Sequence, residues 1–193
     1  MTLPAIILAA GASRRLGQPK QIVRIGNETL LERTIRVALE SGCEPLIVVL
    51  GSSAERIVET VNLRNVRVIF NSDWERGIAS SIVAGVAGCQ ELIPGLSGLM
   101  LLVCDLPKLG ARHLRRLKEE FNGANQTAIV ASSYEGITGI PAIFPVSQFP
   151  NLLALKGDTG ARQLMKNPAC ALISVPFPEG KVDVDTPEDL AAL

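Results

Sequence analysis

The chain has 193 residues, 47% of them hydrophobic and 4% aromatic, and its 19 basic side chains are matched by 19 acidic ones, for a net charge of zero. A neutral chain lacks the cationic field that draws nucleic acid or an anionic membrane, and five Phe, one Trp and one Tyr leave few platforms for stacking bases. No uncharged apolar run reaches the roughly 18 residues of a membrane span, and the start, Met1-Thr2-Leu3-Pro4, lacks the basic region of a secretory signal, so the expectation is one cytoplasmic domain over 1–193.

Apolar β-branched runs alternate along the chain with segments of helical period, the pattern of an α/β domain around a largely buried parallel sheet. Strands are predicted at 4–10, 45–50, 66–70, 98–104, 127–132, 140–144, 171–175 and 181–184. Helices are predicted at 28–41, 53–62, 79–91, 111–122, 147–155, 159–167 and 186–192. The first helix stops at Gly42, and the last is entered through Thr186-Pro187, where Thr suits the N-cap and Pro the first turn. Residues 133–160 have longer loops and a less regular pattern, and read as a substrate-specific elaboration on the same sheet. The four cysteines, Cys43, Cys89, Cys104 and Cys170, are scattered without a CxxC pair or a nearby His, which points to buried reduced thiols.

The chemistry-bearing stretch is Leu8-Ala9-Ala10-Gly11-Ala12-Ser13-Arg14-Arg15-Leu16-Gly17-Gln18-Pro19-Lys20, directly after the first predicted strand. Ligands of open α/β sheets bind beyond the carboxyl ends of strands, and Gly with small side chains lets backbone N–H groups approach a phosphate that Arg15 and Lys20 can neutralise. On residues alone, a solvated surface loop stands as the alternative. Five residues separate Gly11 from Gly17, no Ser or Thr follows Lys20, and G-x-G-x-x-G is absent, so neither a P-loop nor a standard dinucleotide fold is indicated. Asp105 follows the apolar run 99–103 and suits either a hard-cation ligand or a turn cap; Asp183 and Asp185 read as turn residues before the last helix. Ser80 and Ser81 precede an apolar helix, where N-capping is the default role, and the free N–H groups of that helix start, from Gly77 on, suit a base carbonyl or a ribose hydroxyl. Trp74, just ahead of Gly77, reads as partly buried packing, and a helix cap suits Asp158 or Thr159. His113, the only histidine, lies on a helix rich in Arg and Lys and reads as a solvated side chain.

The string L-A-A-G-x-S-x-R-x-G-x-P-K resembles the signature of nucleotidyltransferases that make activated cofactors and sugars. With Asn71-Ser72-Asp73-Trp74, Glu75 to Gly85, Cys104-Asp105-Leu106-Pro107, Gly139-Ile140-Pro141-Ala142, Gly157 to Arg162 and Asp183 to Asp189 in order, the chain is most similar to the molybdenum-cofactor cytidylyltransferases. The resemblance implies a three-layer α/β/α Rossmann-like nucleotidyltransferase fold with a mostly parallel mixed sheet. It implies a nucleotide-binding part at about 1–110 and an acceptor-binding elaboration at about 133–165. The implied reaction is Mg²⁺-dependent transfer of CMP from CTP to molybdopterin or molybdenum cofactor, with release of pyrophosphate.

By the same resemblance, Arg15, Lys20 and Asp105 are catalytic; Leu8, Ala9, Ala10, Gly11, Ser13, Arg15, Lys20, Gly77 and Ser81 bind nucleotide. Asp105 and Asp185 hold the metal, and Gly139, Pro141, Asp158 and Arg162 face the acceptor. Ala10 suits a pyrimidine user, since guanylyl-using relatives usually carry Gly there, whereas Ile140 departs from the usual acceptor segment and leaves the acceptor open. Product would pass to a molybdenum hydroxylase of the xanthine dehydrogenase type. Guanylyl transfer to the same cofactor, nucleotidyl transfer to a sugar phosphate and non-catalytic carriage of a nucleotide or cofactor are the alternative readings.

Overall fold

Leu3–Ala9 is buried at each of its seven residues, as a strand covered on both faces must be. The computed structural model describes residues 3–167 and 170–192. The elements run β1 (Leu3–Ala9), the short antiparallel pair β2 (Arg24–Ile25) and β3 (Glu28–Thr29), α1 (Leu30–Glu40), β4 (Cys43–Leu50), α2 (Ala54–Thr60), β5 (Arg67–Phe70), α3 (Ile78–Leu92), β6 (Gly98–Val103), α4 (Ala111–Gly123), β7 (Ile129–Tyr134), β8 (Ile137–Pro145), α5 (Phe149–Leu153), α6 (Arg162–Met165), β9 (Leu172–Pro176) and α7 (Pro187–Ala191). Among the described residues no helix is long and apolar enough to cross a membrane.

The main sheet has the order β5-β4-β1-β6-β8-β7-β9. Only β8 runs against its neighbours, pairing antiparallel with β6 and with β7. Its reversal follows from a two-residue turn: Glu135 and Gly136 take φ of 48° and 75°, the twist that suits a tight hairpin. Apolar side chains of β1 alternate between two cores. Ala5, Ile7 and Ala9 pack with residues of α1, α2 and α4, and Ile6 and Leu8 with residues of α3, α5 and α6, which gives three layers. The fold is thus the expected α/β class with a mostly parallel mixed sheet.

Local chemistry sets the element ends. Thr29 and Glu32 form a reciprocal capping box at the start of α1, and Gly42, at φ 75°, follows its end. The basic face of α4 serves that same end: Arg115 donates to the Glu40 carbonyl, and Lys118 to those of Ser41 and Gly42. Cations there meet the negative pole of the helix dipole. Thr186 caps α7 in a second capping box with Asp189, as its sequence indicates.

Four expectations are corrected. Residues 181–184 form no strand; Pro178–Lys181 is a 3-10 turn, and Val184 donates a single backbone bond to the Asp105 carbonyl while its side chain is buried. The period-two pattern there reflects that one buried valine. The helices expected at 147–155 and 159–167 shrink to Phe149–Leu153 and Arg162–Met165, interrupted by Gly157 at φ 62° and by Gly160. Neither Asp158 nor Thr159 caps α6, whose N-cap is Ala161 without a side-chain bond. His113 is half-buried, not solvated: its ring stacks on Phe177 at 4.3 Å and its Nε2 lies 2.7 Å from Ser132 Oγ. Since Ser132 donates its own hydroxyl to the Pro141 carbonyl, the imidazole donates to Ser132. Burial, with Arg116 adding, pushes the His113 pKa down to about 4.

Cys43, Cys89 and Cys104 are buried and Cys170 half-buried, all as free thiols. Burial pushes Cys89 up to about 11 and Cys104 up to about 12, which keeps them protonated and inert.

Candidate active site

The order of strands reverses between β1 and β6: the chain winds outward from β1 to β4 and β5, then returns to the other side of β1. A crevice must open there at the carboxyl ends, because the connections leave in opposite directions. A cleft of 520 Å³ occupies that position. Leu8, Ala9, Ala10, Gly11, Ser13, Arg15, Lys20, Gly77, Ser81, Asp105, Asp158 and Asp185 all line it, together with Trp74, which is half-buried against the core as its sequence suggests. Gly139, Pro141 and Arg162 do not; the first two lie on β8 and the third opens α6.

The loop after β1 is held by its own polar groups. Ser13 takes a left-handed φ of 49°, and its Oγ accepts the Lys20 backbone N–H at 3.0 Å, closing the loop on itself. Gln21, which is 1% exposed, donates Nε2 to the carbonyls of Ala9 at 2.6 Å and Gly11 at 3.1 Å, while the Ser52 N–H takes the Ala10 carbonyl. All three carbonyls around Ala10 are therefore turned to protein donors, as a loop that faces an anion requires. Gln21 escaped the sequence reading. The available indication was a polar residue set between Lys20 and the apolar Ile22-Val23.

A third apolar cluster, Leu16, Val23, Leu30 and Val184, ties this loop to the segment that carries Asp185. Four side chains then meet. Lys20 Nζ donates to Asp105 Oδ2 at 2.9 Å and to Asp185 Oδ1, and Arg15 Nη2 donates to Asp185 Oδ2 at 2.5 Å. Burial opposes the charge of Lys20, but the Asp105 and Asp185 carboxylates outweigh it and raise the ammonium above the ordinary lysine value. Burial likewise works against ionised Asp185, and Lys20 and Arg15 nevertheless bring it below the usual carboxylate range. Asp183, with burial first and then Asp185 and Asp105 against it, is shifted upward.

On the opposite wall, Ser80 and Ser81 do not cap α3. The N-cap is Gly77, and both hydroxyls lie within the first turn, where Asn71 Nδ2 donates to Ser80 Oγ at 2.9 Å and Ser81 Oγ at 3.0 Å. Asn71 stands directly beyond β5, a strand-end polar residue whose role the sequence reading left unassigned. The Ala79 N–H of the same turn donates to the Gly157 carbonyl at 3.1 Å, so the 157–158 loop covers the helix start and brings Asp158 into the cleft. Burial raises the Tyr134 phenol, Arg162 pulls it the other way, and Asp183 and Asp105 add to the rise.

Asp105 and Asp185 are the residues suited to a metal. Their oxygens converge on one ammonium, so hard donors face a single cationic position. Among the described residues no group of three or more His, Cys, Asp or Glu is arranged to hold a metal ion. Two carboxylates completed by phosphate oxygens form the donor set that Mg²⁺ commonly takes. The residues present fit the group.

Known proteins carry the same arrangement of chain. The chain is 28% identical to "Nicotine blue oxidoreductase" of Paenarthrobacter nicotinovorans, over 97% of this chain and 94% of that protein. It is 27% identical to "Molybdenum cofactor cytidylyltransferase" of Escherichia coli strain K12, over 97% and 93%, and 26% identical to "Probable molybdenum cofactor guanylyltransferase" of Nostoc sp. PCC 7120, over 99% and 90%. The crystal structure of Rv0371c from Mycobacterium tuberculosis H37Rv superposes with a TM-score of 0.83 at 30% identity, over 100% of this chain and 97% of that one. A crystal structure of Rv0371C in complex with manganese matches with a TM-score of 0.82 at 27% identity, over 100% and 98%. The names of these relatives differ, and a family model for the MobA-like NTP transferase domain matches residues 5–172, from β1 into β9. With the switch point between β1 and β6 and the Lys20 loop inside that span, the chain belongs to the MobA-like NTP transferase family.

Proposed function

We propose that the protein transfers CMP from CTP to the terminal phosphate of a molybdopterin-type cofactor and releases pyrophosphate. The observation that carries this reading is the meeting of Arg15, Lys20, Asp105 and Asp185 at one end of a cleft whose other wall is the Ala9–Gly11 backbone and the α3 start. A cytosine base is supported by the family resemblance, in which an Ala at position 10 suits a pyrimidine user.

A phosphate monoester has a second pKa of about 6 and is already anionic at neutrality, so the acceptor needs no general base. Its oxygen forms a bond to the α-phosphorus of CTP in line with the bond that breaks, from that phosphorus to the oxygen bridging to the β-phosphate. Arg15 and Lys20 neutralise the triphosphate and the leaving pyrophosphate, and the fixed loop backbone orients them. Asp105 and Asp185 would hold Mg²⁺, which when bound supplies Lewis-acid stabilisation of phosphate charge. The acceptor enters from the side of Tyr134, Gly139, Pro141 and Arg162, with Asp158 on the border of the two subsites.

The test is pyrophosphate release with CTP, GTP and UTP, each crossed with molybdopterin-type and sugar-phosphate acceptors. The expected result is turnover with CTP and the pterin acceptor, reduced at least about 100-fold in Asp105→Ala and in Lys20→Ala. Preference for GTP would move the reading to guanylyl transfer, and turnover with a sugar phosphate alone would replace the acceptor. Nucleotide affinity without any pyrophosphate release would make the protein a carrier.

A further inference from the structure

One end of the cleft is balanced from within. Lys20 Nζ bonds both proposed metal-holding carboxylates, and Arg15 takes the remaining oxygen of Asp185. Two positive and two negative side chains cancel. The Lys20 side chain is 16% exposed, so little water screens its charge from an incoming cation. A divalent ion approaching the same oxygens in the absence of nucleotide would meet an ammonium already bonded to them. Lysine is a point charge on a flexible four-carbon stem, able to turn from a carboxylate to a nearby phosphate, and the third apolar cluster fixes the loop beneath it and leaves only the stem to move.

We infer that Lys20 is an internal cation that holds the metal position closed until a triphosphate draws its ammonium away, so that divalent metal and nucleotide enter the site together. The inference rests on the reading of Asp105 and Asp185 as metal-holding residues, and it adds a role for Lys20 that a purely phosphate-binding lysine lacks. Removing Lys20 has opposite effects on the two ligands: nucleotide affinity falls, and the affinity of the nucleotide-free protein for metal rises. Because coupling between two ligands is reciprocal, the gain in metal affinity that nucleotide confers also shrinks when Lys20 is absent.

The experiment is Mn²⁺ titration followed by electron paramagnetic resonance on the nucleotide-free full chain, for wild type, Lys20→Met, Arg15→Gln and the double variant Lys20→Met/Asp105→Asn. Lys20→Met is expected to bind Mn²⁺ about tenfold or more tightly than wild type, Arg15→Gln to show a smaller gain, and the double variant to lose the gain. Mn²⁺ binding by folded Lys20→Met that is no tighter than wild type would overturn the inference. If Lys20→Met does not fold, Arg15→Gln decides: an affinity equal to or below that of wild type overturns it as well. Pyrophosphate release by the wild-type protein separates the two readings. Normal CMP transfer with unchanged Mn²⁺ affinity in Lys20→Met removes only the internal-cation role. Tightened Mn²⁺ binding in a protein that transfers no nucleotide keeps that role and removes the proposed reaction.

Discussion

His113 shows what a single residue's surroundings do to its chemistry. In the chain it stands among Arg112, Arg115 and Arg116, yet the fold turns its ring onto Phe177 and its Nε2 to Ser132. Its pKa in the folded protein, about 4, lies below the ordinary 6.5, so between those values the unfolded chain binds the proton and the folded one does not. Stability therefore rises with pH across that window and is lost as pH falls through it. His113→Gln keeps a donor for Ser132 and removes the titration; thermal unfolding from pH 4 to 7 should show a shallower pH dependence in the variant than in wild type. Gln21 is the companion case. Its two donated bonds set the Ala9 and Gly11 carbonyls, but Oε1 has no partner among the described residues, a cost of about 1–3 kcal/mol for a buried acceptor. That cost accompanies a fixed loop.

Elements were legible to the degree that their ends carry local chemistry. The cap at Thr186, the stop at Gly42 and the apolar run before Asp105 can be read because each acts on neighbours within a few residues, whereas the reading from 28 placed Thr29 inside the helix that it caps. The start of α3 cannot be read that way. Ser80 and Ser81 have the composition of caps, but Gly77 takes the position at φ 100°, and the Gly157 carbonyl from a distant loop receives the Ala79 N–H. A methyl group on Gly77 would stand 2.4 Å from the Gly157 carbonyl carbon and 2.5 Å from Asp158 Oδ1, so the glycine is needed for both its backbone angle and its lack of bulk. Gly77→Ala should lower stability by about 1–3 kcal/mol in denaturant unfolding and raise the KM for nucleotide, since the cleft wall must move.

At the scale of the whole molecule, three apolar clusters divide the labour. The two large ones bury the sheet, while Leu16, Val23, Leu30 and Val184 join the loop that carries Arg15 and Lys20 to the segment that carries Asp185. Leu16→Ala should cost about 2–5 kcal/mol of stability and lower kcat at saturating nucleotide and acceptor, because it loosens one charged wall of the cleft against the other. An unchanged kcat in a folded variant would show that the cluster serves stability alone.

The sequence by itself determined the α/β alternation, the strand-end loop from Leu8 to Lys20 and the position of Asp105 after a buried run, because periodicity and strand ends are local properties. Only the tertiary structure decided that Asp185, 165 residues beyond Lys20, shares its ammonium with Asp105, that β8 reverses within the sheet, and that the loop at Gly157 closes on the start of α3. Those are contacts between residues far apart in the chain, set by which side of β1 each connection returns to, and no local pattern encodes that choice.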